Sequence, residues 1–401
     1  MRILQLCHKS PWPPKDGGAI AMLTMAKGFS LLGHDVHVLA MNTRKHQTRL
    51  DEIPDDLKEK MHFELANVPA KITLFGAVSN LLFSKLPYQA TRFIEADFNR
   101  QLVRILKNNE FDLVQLEGLY LCSYIPTIRE HSKALIAYRA HNVEHEIWER
   151  TAMVTPGIKR IYLKILAQRI KQFERNQLNK YDLLVPITDR DGDFLDKLGN
   201  TKPKHTTQTG IDLATLVPKA GQLEYPSLFH LGALDWAPNQ EGLLWFMKHA
   251  WKKLRKKYPT LKFYVAGRNA PEWLQAKLNR KNVVFLGEVE DAYAFMNSKA
   301  IMVVPLLSGS GMRVKVIEGL ALGKAIVSTT IGAEGIAVEK GKHLLLVNDA
   351  NEFIEAISQL IDNRIDYDQL CKNAIDFIHE KFDNLAIAES LTDFYKQHLH
   401  G

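Results

Sequence analysis

Cysteine is scarce in this chain, and long apolar runs are missing. The 401 residues include only three cysteines, Cys7, Cys122 and Cys371, and no Cys-x-x-Cys pair. This odd, scattered set is typical of reduced thiols in a cytoplasmic protein rather than of disulfides or a metal site. No run of about 18 apolar residues occurs, so the sequence predicts no membrane-spanning helix. The N-terminal apolar run is short and ends at His8 and Lys9, unlike a secretory signal peptide.

Several functional motifs are absent as well. The sequence has neither the Gly-x-x-x-x-Gly-Lys-Ser/Thr loop of P-loop nucleotidases nor the Gly-x-Gly-x-x-Gly dinucleotide fingerprint. The net charge is +7, which favours an anionic partner: a nucleotide, a phospholipid surface or nucleic acid. Zinc-ligand spacing and a basic helix with base-reading Asn or Gln side chains are both lacking, so nucleic acid is the least supported of the three.

Strand-like apolar runs alternate with helical patterns along the whole chain, which is typical of parallel α/β architecture. In the first half, we predict strands over residues 3–7, 36–40, 113–115, 135–139 and 183–187. In the second half, we predict them over residues 227–232, 261–266, 283–286, 301–305, 325–328 and 343–347.

The length and a polar interruption predict two domains. A chain of 401 residues exceeds one typical hydrophobic core, and residues 199–225 are polar and contain prolines. We therefore expect two doubly wound, Rossmann-like domains, residues 1–210 and 211–383, that face each other across a cleft. The amphipathic segment 384–401 is expected to close the second domain or to pack back on the first.

In two stretches of the first half, 71–93 and 158–180, lysines and arginines are interspersed among apolar residues. In the second of these, isoleucines and aromatic residues share one helical face while lysines and arginines lie elsewhere on the helix. That pattern fits an amphipathic helix on an anionic membrane. It equally fits a helix that packs on its own domain.

The most informative segment is 301–329. An apolar run ends in a Ser/Gly cluster, a helical segment with Arg313, Lys315 and Glu318 follows, and a second apolar run begins at Ala325. This order directs a helix N-terminus, which favours phosphate, toward the carboxyl edge of a parallel sheet. Two cations suit a diphosphate and one carboxylate suits a ribose hydroxyl. The alternative is an ordinary βαβ unit with solvated charges.

Other candidate residues follow predicted strands of the first half. Gly17 and Gly18 lie between the first strand and the first helix, where their backbone allows a close approach to a ligand. Arg139, His141 and Asn142 follow the strand at 135–139, and Glu117 follows the one at 113–115. The alternative for His141 is a cap on the next helix. Thr188 is a predicted N-cap.

With these segments in view, the chain resembles retaining, family-4-like glycosyltransferases (glycosyl transferases group 1) of the GT-B fold over essentially its whole length. The resemblance rests on the glycine loop after the first strand and on four further segments. These are Gly33-His34-Asp35-Val36, Thr209-Gly210-Ile211-Asp212, Phe229-His230-Leu231-Gly232 and the stretch 309–329.

The resemblance implies roles for individual residues. In the family two glutamates flank the donor loop; Glu318 matches the second, and Ser310 stands at the position of the first. The implied donor-binding residues are Gly17, Gly18, Gly232, Gly309, Ser310, Gly311, Met312 and Glu318. The implied catalytic residues are His141, Arg313 and Lys315. Arg139, Asn142 and Glu117 are implied to position the acceptor or the sugar.

The resemblance further implies transfer of a sugar, with retention, from a UDP- or GDP-sugar to an acceptor hydroxyl, without a cofactor and without a strict need for a metal. The implied acceptor is a saccharide or lipid-linked saccharide of cell-surface polysaccharide or glycolipid synthesis. The implied location is cytoplasmic, with peripheral contact at the inner face of an anionic membrane. Two alternatives remain open: a catalytically inactive partner subunit that binds nucleotide sugar, which Ser310 favours, and a nucleotide-sugar epimerase.

Overall fold

The computed structural model describes residues 1–44, 46–213, 216–219, 221, 223–309 and 312–399. The chain divides into two compact units. The first unit comprises Met1–Gly210 and the chain from Asn384 onward, and the second comprises Ile211–Asp383. Among the described residues, no helix is both long and apolar enough to cross a membrane.

The first unit contains a six-stranded sheet in which all paired strands are parallel. Its strands are β1 (Arg2–Cys7), β2 (Asp35–Thr43), β3 (His62–Val68), β4 (Leu113–Glu117), β5 (Leu135–Ala140) and β6 (Leu183–Pro186). The spatial order is β3-β2-β1-β4-β5-β6. The order therefore reverses between β1 and β4, which is the position where doubly wound sheets bind ligands.

Nine α-helices among the described residues lie between or directly after these strands. They are α1 (Gly17–Leu31), α2 (Asp55–Lys60), α3 (Leu74–Phe83), α4 (Tyr88–Thr91), α5 (Ala96–Asn108), α6 (Ile125–His131), α7 (Glu144–Val154), α8 (Ile158–Gln177) and α9 (Asp189–Leu198). Thr188 caps α9 by accepting a hydrogen bond from the Asp191 amide, as predicted.

The second unit repeats the architecture. Its strands are β7 (Glu224–Leu231), β8 (Phe263–Ala266), β9 (Val283–Gly287), β10 (Lys299–Val304), β11 (Ala325–Ser328) and β12 (Leu345–Leu346). They are arranged in the order β12-β11-β10-β7-β8-β9, and the strand order reverses between β7 and β10. Both sheets confirm the predicted doubly wound α/β fold.

The helices of the second unit follow the same alternation. They are α10 (Ala237–Phe246), α11 (Lys252–Lys257), α12 (Glu272–Leu278), α13 (Ala292–Asn297), α14 (Val314–Ala321), α15 (Ala350–Asp362) and α16 (Arg364–Lys381). One π-helical turn, Met247–Trp251, joins α10 to α11.

Each predicted strand coincides with an observed one, but β3 was missed. It has the sequence HFELANV and lies at the edge of its sheet, where several of its side chains reach solvent. Continuous apolar runs identify strands that are buried on both faces. An edge strand with polar residues does not give that signal.

The last helix, α17 (Asn384–Leu399), packs on α1 of the first unit. Gly28 permits the close approach, because a Cβ there would lie 2.6 Å from the Ala388 Cβ. The Asn384 side chain donates to the Thr24 carbonyl at 2.7 Å. Tyr395 is fully buried and donates its hydroxyl to Gln115 Oε1 at 2.7 Å. The helix is therefore part of the core of this unit.

We predict that Tyr395→Phe lowers the free energy of unfolding by about 1–3 kcal/mol, because Gln115 loses a buried partner. Tyr395→Ala should cost about 3–5 kcal/mol, since it also leaves a cavity. Denaturant titration measures both. The exposed neighbour Lys396 provides the control, and Lys396→Ala should stay within about 0.5 kcal/mol of wild type. Equal effects of all three changes would contradict the packing described for α17.

Candidate active site

In the first unit, polar side chains gather where the strand order reverses. Cys7, the last residue of β1, pairs with Glu117, the last of β4, and Glu117 pairs with Arg139 of β5. His8 and His141 follow directly after β1 and β5. The register of three parallel strands thus brings together Glu117, Arg139 and His141, which the sequence placed at the ends of two strands.

Glu117 and His141 form a short hydrogen bond. The His141 Nε2 lies 2.5 Å from Glu117 Oε2. A carboxylate accepts, so Nε2 carries the proton and Nδ1 of the neutral ring keeps a lone pair. Helix α7 begins at Glu144 after Val143, which makes no side-chain cap. The alternative that His141 caps this helix is therefore wrong.

Burial and charge set the protonation of this pair. Burial lowers the pKa of His141 and outweighs the nearby Glu117 carboxylate, which acts in the opposite direction. For Glu117, burial alone would raise the pKa, but the Arg139 charge and the His141 hydrogen bond hold it below its ordinary value. The site therefore contains a neutral imidazole oriented by an ionised carboxylate. The His141 side chain is 9% exposed and is the member of the pair that reaches the surface.

Arg139 and Glu117 are fully buried. Arg139 Nη1 donates to the Ala21 carbonyl at 3.0 Å and lies 3.4 Å from Glu117 Oε2. Gln115 also donates to Glu117, which connects this carboxylate to Tyr395 of α17. Glu117 therefore contacts His141 directly, and Arg139 contacts Glu117.

Sequence reasoning missed His8. Its Nδ1 donates to the Glu117 carbonyl at 2.6 Å, and its ring centroid lies 6.4 Å from that of His141. Burial, followed by the Lys9 charge, lowers the pKa of His8 to about 3. A lone histidine after a strand gives no sequence signal for such a contact.

The glycine loop adjoins the same edge. Asp16 caps α1 by accepting from the Ala19 amide at 3.0 Å and pairs with Lys9 Nζ at 2.5 Å. Gly17 is the first residue of α1, and a Cβ at Gly18 would lie 3.0 Å from Lys9 Nζ. The loop therefore places a partly buried ion pair beside the helix N-terminus.

Two further glutamates, Glu144 and Glu174, lie close together after β5. Burial, reinforced by the Glu174 charge, raises the pKa of Glu144 to about 7, although hydrogen bonds from Tyr120 and Asn142 oppose the shift. Glu174 accepts from the Glu144 amide and lies 2.5 Å from His145 Nδ1. The predicted residue Asn142 thus orients Glu144, the carboxylate that the sequence placed at the end of the same strand.

In the second unit, backbone segments approach closely at the carboxyl edge beside β7 and β10. A Cβ at Gly267, after β8, would lie 1.8 Å from the Gly232 carbonyl oxygen. A Cβ at Gly242 of α10 would lie 2.4 Å from the Pro305 carbonyl oxygen. These positions require glycine, and they fix α10 and the loop after β10 against the strand ends.

The loop after β10 orients Arg313 on an aromatic ring. The guanidinium carbon of Arg313 lies 5.1 Å from the centroid of Trp236, the residue before α10. Gly309 has φ of +115°, and a Cβ there would lie 2.8 Å from Arg313 Nη2. Ser308 donates to Glu241 Oε2 at 3.0 Å. Trp236 and Glu241 carried no motif in the sequence.

Lys315 and Glu318 occupy the first turns of α14. Lys315 Nζ lies 2.8 Å from Glu318 Oε2, and the Tyr293 hydroxyl donates to Glu318 Oε1 at 2.9 Å. Glu318 is only 2% exposed, whereas Lys315 is partly exposed. Burial and the Glu318 charge raise the pKa of Tyr293 well above its ordinary value. Tyr293 is a further residue that sequence reasoning missed.

The remaining predicted donor residues divide into two groups. Ser310 and Gly311 lie outside the described residues. Met312 is half-buried and packs against the core of the second unit.

Possible metal ligands lie elsewhere. In the described part of the chain, the group of three His or Asp side chains with suitable spacing is Asp35, His37 and His62. They belong to the amino ends of β2 and β3, opposite the edge that carries the candidate site.

We predict that the partly buried, neutral His8 makes the protein sensitive to acid. Because the folded pKa of about 3 lies below the ordinary value of 6.5, the unfolded chain binds the proton first as the pH falls. The His8 contribution is therefore intact above pH 6.5 and is lost between 6.5 and 3, at about 1.4 kcal/mol per pH unit. Denaturant titrations of wild type and His8→Asn at several pH values test this. An unchanged slope in the variant would contradict it.

Comparison with known proteins places these sites in context. Residues 225–363, within the second unit, match the family model described as glycosyl transferases group 1. A 44.6 kDa protein in the cps region of Klebsiella pneumoniae is 23% identical over 412 residues, covering 97% of this chain and 98% of that protein.

Solved structures share the fold over almost the whole chain. Sucrose-phosphate synthase from Thermosynechococcus elongatus superposes with a TM-score of 0.74 at 15% identity, covering 99% of both chains. HepE of Anabaena in complex with UDP gives 0.71 at 14% identity, covering 99% of this chain and 100% of that chain. TarM of S. aureus in complex with fondaparinux, α-GlcNAc-glycerol and UDP gives 0.70 at 13% identity, covering 98% and 100%.

At such identities the structural likeness establishes the fold alone. Together with the family match, it confirms the resemblance stated from the sequence motifs. The chain has the GT-B fold of these structures, and residues 225–363 of its second unit match the glycosyl transferases group 1 family model.

Proposed function

We propose that this protein transfers a sugar, with retention of anomeric configuration, from a nucleoside diphosphate sugar to a hydroxyl of a saccharide or lipid-linked saccharide. The observation that carries the proposal is the cluster of Arg313, Lys315 and Glu318 at the N-terminus of α14. It lies at the carboxyl edge where the strand order of the second unit reverses. We assign the donor to this unit and the acceptor to the first.

The diphosphate is the part of the donor that this cluster suits best. The free amides and dipole of the α14 N-terminus favour an anion. Arg313 is held near it by Trp236, and the partly exposed ammonium group of Lys315 lies one residue into the helix. Fixed cations stabilise the charge that develops on the leaving diphosphate as the glycosidic bond breaks.

Glu318 is proposed to accept a hydrogen bond from the donor ribose. Tyr293 already donates to one carboxylate oxygen, and Lys315 lies beside the other. If the Lys315 side chain turns toward the phosphates, Glu318 Oε2, which it contacts in this structure, becomes available to a ribose hydroxyl. The proposed donor site therefore exchanges an internal ion pair for two contacts with the nucleotide.

His141 is proposed to orient the sugar or the acceptor. Because Nε2 donates to Glu117, the unprotonated Nδ1 is the atom that can accept from a hydroxyl. In a retaining transfer the leaving diphosphate can take the acceptor proton, so His141 does not need to act as a strong base. The buried Arg139 and Glu117 then act through His141 as positioning residues.

The comparisons guide the choice of substrates. HepE was solved with UDP and with UDP-glucose, and TarM with UDP and α-GlcNAc-glycerol. The Klebsiella relative is encoded in a cps region, a term for capsular polysaccharide genes. UDP-sugars are therefore the first donors to test and GDP-sugars the second, with saccharide and glycolipid acceptors of polysaccharide synthesis.

An assay with radiolabelled UDP- and GDP-sugars, with and without a bacterial membrane extract, separates the candidate functions. Transfer of label to an acceptor, unchanged by EDTA, supports a metal-independent transferase. Interconversion of the free nucleotide sugar would indicate an epimerase. Binding without turnover would indicate the inactive partner subunit.

We predict that Lys315→Ala weakens nucleotide binding about ten- to a hundredfold, because a charge-assisted contact to the diphosphate contributes about 1.5–3 kcal/mol. Titration calorimetry with UDP and GDP measures this. Lys372→Ala, an exposed change on α16, is the matched control and should bind as wild type does. Unchanged affinity in Lys315→Ala would refute the phosphate assignment.

We predict that His141→Ala lowers the transfer rate by at least about tenfold, because it removes the only group of the Glu117–His141 pair that reaches the surface. Nucleotide affinity should stay unchanged, since His141 belongs to the first unit. Initial rates at saturating donor, combined with UDP titration, test the separation. A parallel loss of nucleotide affinity would contradict the division of roles between the units.

A further inference from the structure

The first unit exposes an unusual concentration of large apolar side chains on α3 and at the start of α8. On α3, Leu74, Phe75 and Phe83 are 83%, 84% and 86% exposed, and Ile158 of α8 is 84% exposed. We call the whole set the apolar patch: Ile72, Leu74, Phe75, Val78, Leu82, Phe83, Leu86, Ile158 and Ile161. Contiguous apolar surface of this kind marks an interaction site.

Helix α3 is held in place although no residue of it is buried. At its start, Thr73 caps the helix by accepting from the Gly76 amide at 3.0 Å. At its end, Arg169 of α8 donates to the carbonyls of Asn80, Leu81 and Ser84 at 2.8–3.2 Å. A buried core does not order this helix; capping and a guanidinium from α8 do.

The two parts of the patch lie on neighbouring elements. Tyr88 accepts from the Thr73 amide at 3.1 Å, so it marks the start of α3. Helix α4, which begins at Tyr88, contacts α8. Arg169 of α8 binds the end of α3. The two elements that carry the patch are therefore in contact.

The two sequence segments that carry the patch contain basic but no acidic residues. The sequence from 65 to 94 contains Lys71, Lys85 and Arg92 but no aspartate or glutamate. The sequence from 150 to 173 is also free of acidic residues and contains Arg150, Lys159, Arg160, Lys164, Arg169 and Lys171. Two of these cations pair with acids of α7, Arg150 with Glu146 and Lys171 with Glu149, whereas Lys159 and Lys164 are exposed beside Ile158 and Ile161. Exposed apolar side chains with lysines beside them complement a surface that is apolar inside and anionic outside.

We propose that the apolar patch docks on the surface of a bilayer that contains anionic phospholipid. The exposed face of α3 enters the boundary between headgroups and acyl chains, to a depth of about 5–10 Å. Lysines and arginines beside it contact the phosphate headgroups, each contributing about 1 kcal/mol near the surface. Long basic side chains can place their stems on lipid while their charges stay at the headgroups.

The patch is connected to the candidate site of the same unit. The segment after α3 leads through α4 to Phe93, whose ring stacks on Tyr120 with a centroid distance of 5.5 Å. Phe93 also lies edge-on to His8 at 6.3 Å. A docked patch would present a lipid-linked acceptor from the side of Phe93. Membrane docking itself does not rest on the proposed transferase activity, because it needs neither donor nor acceptor.

Co-sedimentation of the full-length protein with vesicles tests the proposal. Vesicles of phosphatidylcholine alone and vesicles with about 30% phosphatidylglycerol serve as neutral and anionic surfaces. The protein should bind the anionic vesicles at low salt, and the binding should weaken as salt is raised, because the attraction is screened. No binding to anionic vesicles at low salt would overturn the proposal.

Two sets of variants assign the binding to this surface. Phe75→Asp with Phe83→Asp should lower the vesicle affinity at least about tenfold, since each change removes an exposed aromatic ring from the lipid and adds a negative charge. Lys159→Glu with Lys164→Glu should lower affinity for anionic vesicles alone. Ile365→Asp on α16, a residue 80% exposed in the second unit, is the matched control and should bind as wild type.

The outcomes are distinguishable from those of the transferase proposal. The Phe75/Phe83 variant should keep wild-type affinity for UDP, which shows that it is folded. Equal vesicle binding by this variant and wild type would overturn the assignment of the patch. Self-association that the same variant abolishes in sedimentation velocity, without vesicle binding, would show that a second copy covers the patch and would also overturn it.

Discussion

Both candidate sites depend on one constraint, the reversal of strand order in a parallel sheet. Beside β1 and β4, and again beside β7 and β10, the connecting helices leave in opposite directions, so the strand ends remain open to a ligand. The residues that the chain places there differ between the units. The first unit supplies His141 on a buried carboxylate, and the second supplies cations at a helix N-terminus.

Each unit solves the problem of a buried carboxylate in a similar way. Glu117 is ionised because Arg139 compensates its charge and His141 donates a hydrogen bond to it, and Glu318 is enclosed by Lys315 and Tyr293. An uncompensated carboxylate at these depths would cost several kcal/mol. The partner side chains therefore both stabilise the fold and orient the site. A nucleotide that binds Lys315 must offer Glu318 a new contact in place of the Lys315 ion pair.

The sequence predicted the fold well because buried parallel strands form continuous apolar runs. It missed β3 because this edge strand contains polar residues and forms no such run. The sequence also placed Glu117, Arg139 and His141 at the ends of two strands, and the pairing of those strands brings them together. Contacts between distant segments could not be predicted from the sequence, because they arise from the order of strands in space. Examples are His8 with Glu117, Trp236 with Arg313 and Tyr293 with Glu318. Amphipathic patterning left two alternatives for the segment at 158–180. The exposures of Ile158 and Ile161 show that its first turns, unlike Leu166 and Ile170, are not covered by their own unit.

The central claim is that the loop between β10 and α14 binds the diphosphate of a nucleotide. Calorimetric titration of the wild-type protein with UDP and GDP, each compared with its nucleoside, tests this most directly. We predict that one diphosphate binds at a single site at least about tenfold more tightly than its nucleoside, a difference of about 1.4 kcal/mol that the phosphates supply. Equal affinity for nucleoside and diphosphate, or no binding of either nucleotide, would contradict the account.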